Sequence, residues 1–142
     1  TDIYVSGFSG VFLHGNGTMW STVSLPVSLD MYYVFGSGPS SIFSLGASGT
    51  ILRYDGTSWT KLPVTNNAYM ATLYGGTLSG STAYAVGNVG ANGNFLTGSS
   101  PFSGFTVSSP VPVDLSSIVV GANGIGWTCG EVGFIGYFDT RP

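Results

Sequence analysis

The side chains that could carry chemistry are few and scattered. The 142 residues include one histidine (His14), one cysteine (Cys129), six acids and three bases. A lone histidine gives no spacing from which a Ser-His-Asp or Cys-His arrangement could be argued. Cys129 follows Trp127 and Thr128 with no electropositive neighbour, which predicts a buried, inert thiol in a strand. Glycoside hydrolysis needs two carboxylates roughly 5 to 10 Å apart, but Asp2, Asp30, Asp55, Asp114, Glu131 and Asp139 show no pairing, and no D-x-D-x-D run offers calcium ligands. Glycine spacings such as Gly87 to Gly93 lack the following helix and Lys of a phosphate cradle. The expectation is a protein that is not an enzyme, with no metal site and no cofactor.

Charge narrows the partners as well. Arg53, Lys61 and Arg141 are too few to neutralise the phosphates that nucleic acid presents, so no nucleic acid is expected as partner. The net charge of −3 is spread without any acidic or basic run. No apolar stretch approaches the roughly 18 to 20 residues of a membrane helix, and no basic-plus-apolar signal segment opens the chain, so no membrane insertion is expected. Charged residues are only 6% of the chain. Like-charge repulsion keeps concentrated proteins apart, so a surface this poor in charge fits an extracellular or cell-surface location better than a crowded cytoplasm.

The elements that position these groups must be strands. Gly, Ser and Thr supply 57 residues (23, 20 and 14), whereas Ala totals seven and Glu one. Surface helices are built from Ala, Glu, Lys and Leu, so helical architecture is nearly excluded. Aromatics at 14%, with Trp20, Trp59 and Trp127 among them, exclude disorder.

Internal repetition gives the architecture. Residues 3–21 align without gaps on residues 42–60 at an offset of 39, matching Ile3 with Ile42, Tyr4 with Phe43, Gly7 with Gly46, Ser9-Gly10 with Ser48-Gly49, Asn16 with Asp55, Gly17-Thr18 with Gly56-Thr57 and Trp20 with Trp59. A third copy places Tyr84, Gly87 and Gly90 on Phe43, Gly46 and Gly49, with Phe105 in the place of Trp59. A fourth places Trp127, Gly130, Gly133, Ile135 and Asp139 on Phe43, Gly46, Gly49, Ile51 and Asp55. Each unit reads as a short strand, a G-x-x-G turn needing positive φ, a second strand, an Asn-Gly or Asp-Gly hairpin and a third strand opened by the aromatic. Asn16, Asp55 and Asp139 are thereby read as hairpin residues tolerating left-handed backbone. His14 and Arg53 share one repeat position, which predicts a solvent-facing site. Upstream apolar runs at 32–35, 71–74 and 117–120 add a further strand to the later units.

The result is an all-β chain of antiparallel four-stranded repeats of about 40 residues, β-propeller-like, with an open β-sandwich or stacked-sheet repeat array as the alternative. The chain is read as one all-β repeat domain over residues 1–142, with units at 1–30, 31–69, 70–114 and 115–142. The stretch Gly46 to Thr60, G-x-x-G-T-I-L-R-Y-D-G-T-S-W-T, resembles bacterial extracellular β-propeller-type repeat proteins. The resemblance is best over residues 31–63 and implies a secreted, propeller-like protein without a common catalytic set. The first unit lacks its leading strand and the last lacks its Trp strand, so the count is three, four, four and three. Apolar strand edges such as 3–5 and 134–138, unprotected by Lys or Pro, are expected to pair with another copy or with another protein.

Trp20 and Trp59 are the candidate ligand-binding residues. An aromatic repeated once per unit could stack a sugar, with glycans then as partners, and could equally pack between neighbouring sheets. Two functions follow: an extracellular structural or self-assembling surface protein (filament, sheath or surface-layer subunit), or a carbohydrate-binding, lectin-like module.

Overall fold

The computed structural model describes residues 2–65, 71–108 and 111–141. Fourteen strands lie among them, in four antiparallel meanders. Sheet 1 holds β1 (Ile3–Ser6), β2 (Phe12–Gly15) and β3 (Trp20–Thr22). Sheet 2 holds β4 (Met31–Gly38), β5 (Ser41–Gly46), β6 (Ile51–Tyr54) and β7 (Trp59–Lys61). Sheet 3 holds β8 (Thr72–Ser79), β9 (Thr82–Val89), β10 (Asn92–Ser99) and β11 (Thr106–Val107). Sheet 4 holds β12 (Leu115–Val120), β13 (Ile125–Gly130) and β14 (Ile135–Asp139). The boundary expected at residues 69 and 70 lies outside the described residues.

Strand alternation decides how the sheets stack. In β9, Ala83 and Ala85 join a core with Phe43, Leu45 and Ile51 of sheet 2, while Tyr84 and Val86 join Leu115 and Ile118 of sheet 4. Successive side chains of one strand thus serve two different cores, as the two-residue period requires. Sheets 2 and 3 are covered on both faces, which is why β5 and β9 read as nearly continuous buried runs. Sheet 1 meets sheet 2 through Tyr4 and Phe12 against Trp59. The order in space follows the order in sequence.

The leading strands carry a feature that the sequence pattern concealed. In β4, β8 and β12 the register slips at the same place, between Met31 and Tyr33, Leu73 and Gly75, and Leu115 and Ser117. Each bulge leaves one extra residue, Tyr32, Tyr74 or Ser116, and bends its strand. The residues just before these bulges, Met31, Leu73 and Leu115, are buried. Opposite them stand Gly46, Gly87 and Gly130, where an added Cβ would run into the carbonyl oxygens of Asp30, Thr72 and Asp114 respectively. Here glycine is required by close approach of backbone. Gly7 shares the turn but not the crowding, since its nearest neighbours to an added Cβ, in Val11, are at 3.7 Å or beyond.

The turns depart from expectation in detail. In Gly7–Gly10, Gly46–Gly49 and Gly130–Gly133 the first glycine is extended or within the ladder, and positive φ falls on the last two residues: Ser9 and Gly10, Ser48 and Gly49, Val132 and Gly133. The amide of the first glycine donates to Val11, Thr50 and Phe134 in turn. The third unit instead turns tightly through Gly90 and Ala91 between eight-residue strands. At the Asn16 and Asp55 hairpins the left-handed residue is the following glycine, Gly17 (φ 97°) or Gly56 (φ 100°). Asn16 and Asp55 act through their side chains: Asn16 Oδ1 accepts from the amides of Thr18 and Met19, and Asp55 Oδ1 from those of Thr57 and Ser58.

Gly46→Ala is therefore expected to cost roughly 1 to 3 kcal/mol or more, as overpacking against backbone does. Gly38→Ala, with open space around the new methyl, should be neutral or slightly stabilising. Chemical denaturation of the two variants checks this.

Candidate functional site

The repeated aromatic position behaves as one device in three environments. Phe105 is buried over Phe43 of sheet 2, with ring centroids 6.4 Å apart at 76°. Trp59 makes the same edge-on contact one sheet earlier, 6.4 Å from Tyr4 at 71°, and also meets Phe12 at 4.9 Å and Tyr54 at 5.3 Å. It is only half-buried. Trp20, on the outward face of sheet 1, is 46% exposed. Its ring lies over Gly15, where an added Cβ would sit 2.7 Å from the indole. Trp20 and Trp59 thus hold equivalent strand positions, across from Gly15 and Tyr54, but are not equivalently buried.

Between sheets 1 and 2 the aromatic residues frame a cleft of about 540 Å³, lined by Tyr4, His14, Tyr54, Ser58 and Trp59 among others. His14 Nε2 lies 2.9 Å from Asp2 Oδ1, and the imidazole stacks on Tyr4 at 4.4 Å. Burial, then the Asp2 carboxylate, pushes the Tyr4 phenol up. A second cleft of about 420 Å³, on the far side of His14, includes Asp2, Asn16 and Trp20. The structure places Trp20 and Trp59 in different clefts and does not bring them together.

His14 and Arg53 are not the simple solvent-facing pair that their alignment predicts. Both point at the following sheet. The Arg53 guanidinium lies 5.2 Å from the Phe102 ring centroid, and its Nε is buried without a hydrogen-bond partner among the described residues. Cys129 is likewise exposed rather than buried. Strand alternation puts it beside Trp127 on the outward face of sheet 4, where Trp127, Ile135 and Tyr137 are 50%, 71% and 76% exposed.

Sequence reading also missed a row of aromatics. The bulges aim Tyr32 and Tyr74 to one side, 5.6 Å apart, and Phe8 of the 3-10 turn Phe8–Gly10 lies 6.1 Å from Tyr32. Asp30 accepts from the Ser9 amide at 2.7 Å and from the Tyr32 hydroxyl. Burial, then Asp30, raises the Tyr32 pKa. The signal was available as the alignment of Asp30-Met31-Tyr32, Thr72-Leu73-Tyr74 and Asp114-Leu115-Ser116. Among the described residues no three His, Cys, Asp or Glu side chains converge as a metal site would require.

Comparison with known proteins adds to the fold alone. No protein-family model matches the sequence, and no curated protein does. Among solved structures the chain is similar to one titled "Crystal structure of the computationally designed Ika4 protein". The TM-score is 0.74 at 10% identity, over 99% of this chain and 86% of that one. Together with the four sheets it defines an all-β, repeat-like architecture.

Two expectations follow from the site. Trp59→Ala should cost about 2 to 3 kcal/mol, below the 3 to 5 of a fully buried ring, and Trp20→Ala less than about 1, measured by chemical denaturation. At the end of β14, Arg141 donates to Asp139 through Nε, Nη2 and its backbone amide, and these bonds lower the Asp139 pKa to about 2. A depressed carboxylate contributes stability above its unfolded pKa and loses it as pH falls through the folded one. A carboxyl NMR titration of Asp139 should show a midpoint near 2. In Arg141→Ala the midpoint should return toward the ordinary range.

Proposed function

We propose that this chain is an extracellular, non-catalytic structural protein that assembles with itself, as a filament, sheath or surface-layer subunit, its four sheets being blades of a β-propeller-like arrangement. One observation carries the reading: both outer sheets present large apolar side chains to solvent. Sheet 1 exposes Val5 and Trp20, and sheet 4 exposes Val119, Trp127, Ile135 and Tyr137. Contiguous apolar surface of that kind marks an interaction site. The strands β1 and β14, each at a sheet edge, offer unpaired backbone groups to a second copy or another protein. A charge-poor surface lowers the electrostatic barrier to association.

A lectin-like module is the second reading. It is favoured by the setting of Trp20, an exposed indole whose cleft also contains Asn16 and Asp2. Sugar rings stack on such faces while amides and carboxylates bind their hydroxyls.

Light scattering over a concentration series, with negative-stain microscopy at the upper end, is expected to show defined assemblies. A particle that stays monomeric at millimolar concentration, together with glycan-array binding lost in Trp20→Ala, would replace the structural reading with the lectin one.

A further inference from the structure

We infer that sheet 1 of one molecule packs face to face on sheet 4 of a second copy, with Trp20 seated edge-on over the partner copy's Trp127. This deepens the self-assembly reading and rests on it.

The inference follows from a contact that the chain makes twice within itself. Each sheet offers the next one an aromatic at a fixed repeat position: Tyr4 in sheet 1 and Phe43 in sheet 2. Each following sheet lays an aromatic from the start of its last strand, Trp59 of β7 on Tyr4 and Phe105 immediately before β11 on Phe43, across that ring at the same 6.4 Å and within a few degrees of the same angle. Sheet 4 carries the receiving position as Trp127 and leaves it exposed. Sheet 1 carries the donating position as Trp20 and leaves that exposed too.

The surroundings match as well as the central pair. On sheet 2 the receiving face consists of Phe35, Phe43 and Arg53 in a row across three strands, with Leu45 and Ile51 beside it. On sheet 4 the corresponding row is Val119, Trp127 and Tyr137, with Cys129 and Ile135 beside it. Sheet 1 answers with Ile3, Val5 and Trp20, the counterparts of Ile42, Ser44 and Trp59. No carboxylate or base lies among the residues named on sheets 1 and 4. Asp139, on the same side of sheet 4, already has its charge paired with Arg141.

A second copy is therefore the occupant that these faces fit. Its sheet 1 has the register, the aromatic and the apolar pattern that sheets 2 and 3 use to cover the sheet before them. Such a contact is heterologous, one patch meeting a different one, so two or more molecules can close into a ring or run on as a fibre.

The test uses sedimentation equilibrium under reducing conditions on the chain, on Trp20→Glu, on Tyr137→Glu and on a loop control, Ser81→Glu, with circular dichroism to verify folding. Trp20→Ala replaces Trp20→Glu if the latter fails to fold. The chain and the control should self-associate alike, and each face variant should weaken association by on the order of 30-fold or more, the effect of losing a central aromatic anchor. An equimolar mixture of the two face variants should form a heterodimer, because each keeps one intact face. Cys129 should react with a thiol reagent more slowly in the assembled chain than in either variant alone.

A chain that is monomeric throughout overturns both this contact and the self-assembly reading. Association that neither face variant weakens, with Cys129 reactivity unchanged, overturns the contact and leaves self-assembly through another surface standing. Weakening in both variants without heterodimer formation also overturns it, since the interface would then not join sheet 1 to sheet 4.

Discussion

Everything in this molecule depends on sheets packing face to face through largely apolar surfaces. A single antiparallel meander of three or four strands has little apolar area of its own to set against the conformational entropy lost on ordering it. Here each sheet takes its core from its neighbours, so Ala83 and Tyr84, adjacent in one strand, contribute to two different cores. The small side chains on one face of β9 let Phe43, Phe102 and Phe105 fill the space on that side. Tyr84 itself fills the space on the other, against Phe95 and Phe138.

Close approach of strands within each sheet in turn imposes glycines. Where the leading strand bulges, its carbonyl comes against the second strand so tightly that Gly46, Gly87 and Gly130 admit no Cβ. The bulge and the glycine are two sides of one constraint, and the residue that the bulge expels becomes surface. That is how Tyr32 and Tyr74 come to lie side by side although 42 residues separate them. A similar economy appears at Gly75 and Gly76 of β8. Side chains there would meet the Ser117 backbone on one flank and the Phe35 ring on the other.

How much of this was legible in the sequence depends on the range of the interaction involved. The 39-residue offset exposed the strands, the hairpins and the count of three, four, four and three, because those rest on local patterns of glycine and alternating apolar residues. The bulges were not legible: an extra residue in a run such as Met-Tyr-Tyr-Val changes no local propensity and is fixed only by the strand opposite. Burial was the other failure. Cys129 looks like a core thiol because it alternates with apolar neighbours as Leu45 does, and Leu45 is indeed fully buried. Pattern reports which face a residue shares, whereas exposure depends on whether anything lies beyond that face.

The same distinction explains the candidate ligand residues. Trp20, Trp59 and Phe105 are the same element of one repeat, and their exposure falls from outermost sheet to innermost. Chemical type does not order them, since one tryptophan is exposed and the other half-buried. Position in the stack does. A sugar platform shared by every unit would need its ring face free in each, yet Phe105 has its ring closed in core and Trp59 has Tyr4, Phe12 and Tyr54 against it. In sheets 2 and 3 the repeated aromatic packs against neighbouring rings, whereas Trp20, at the same position in sheet 1, keeps its ring exposed.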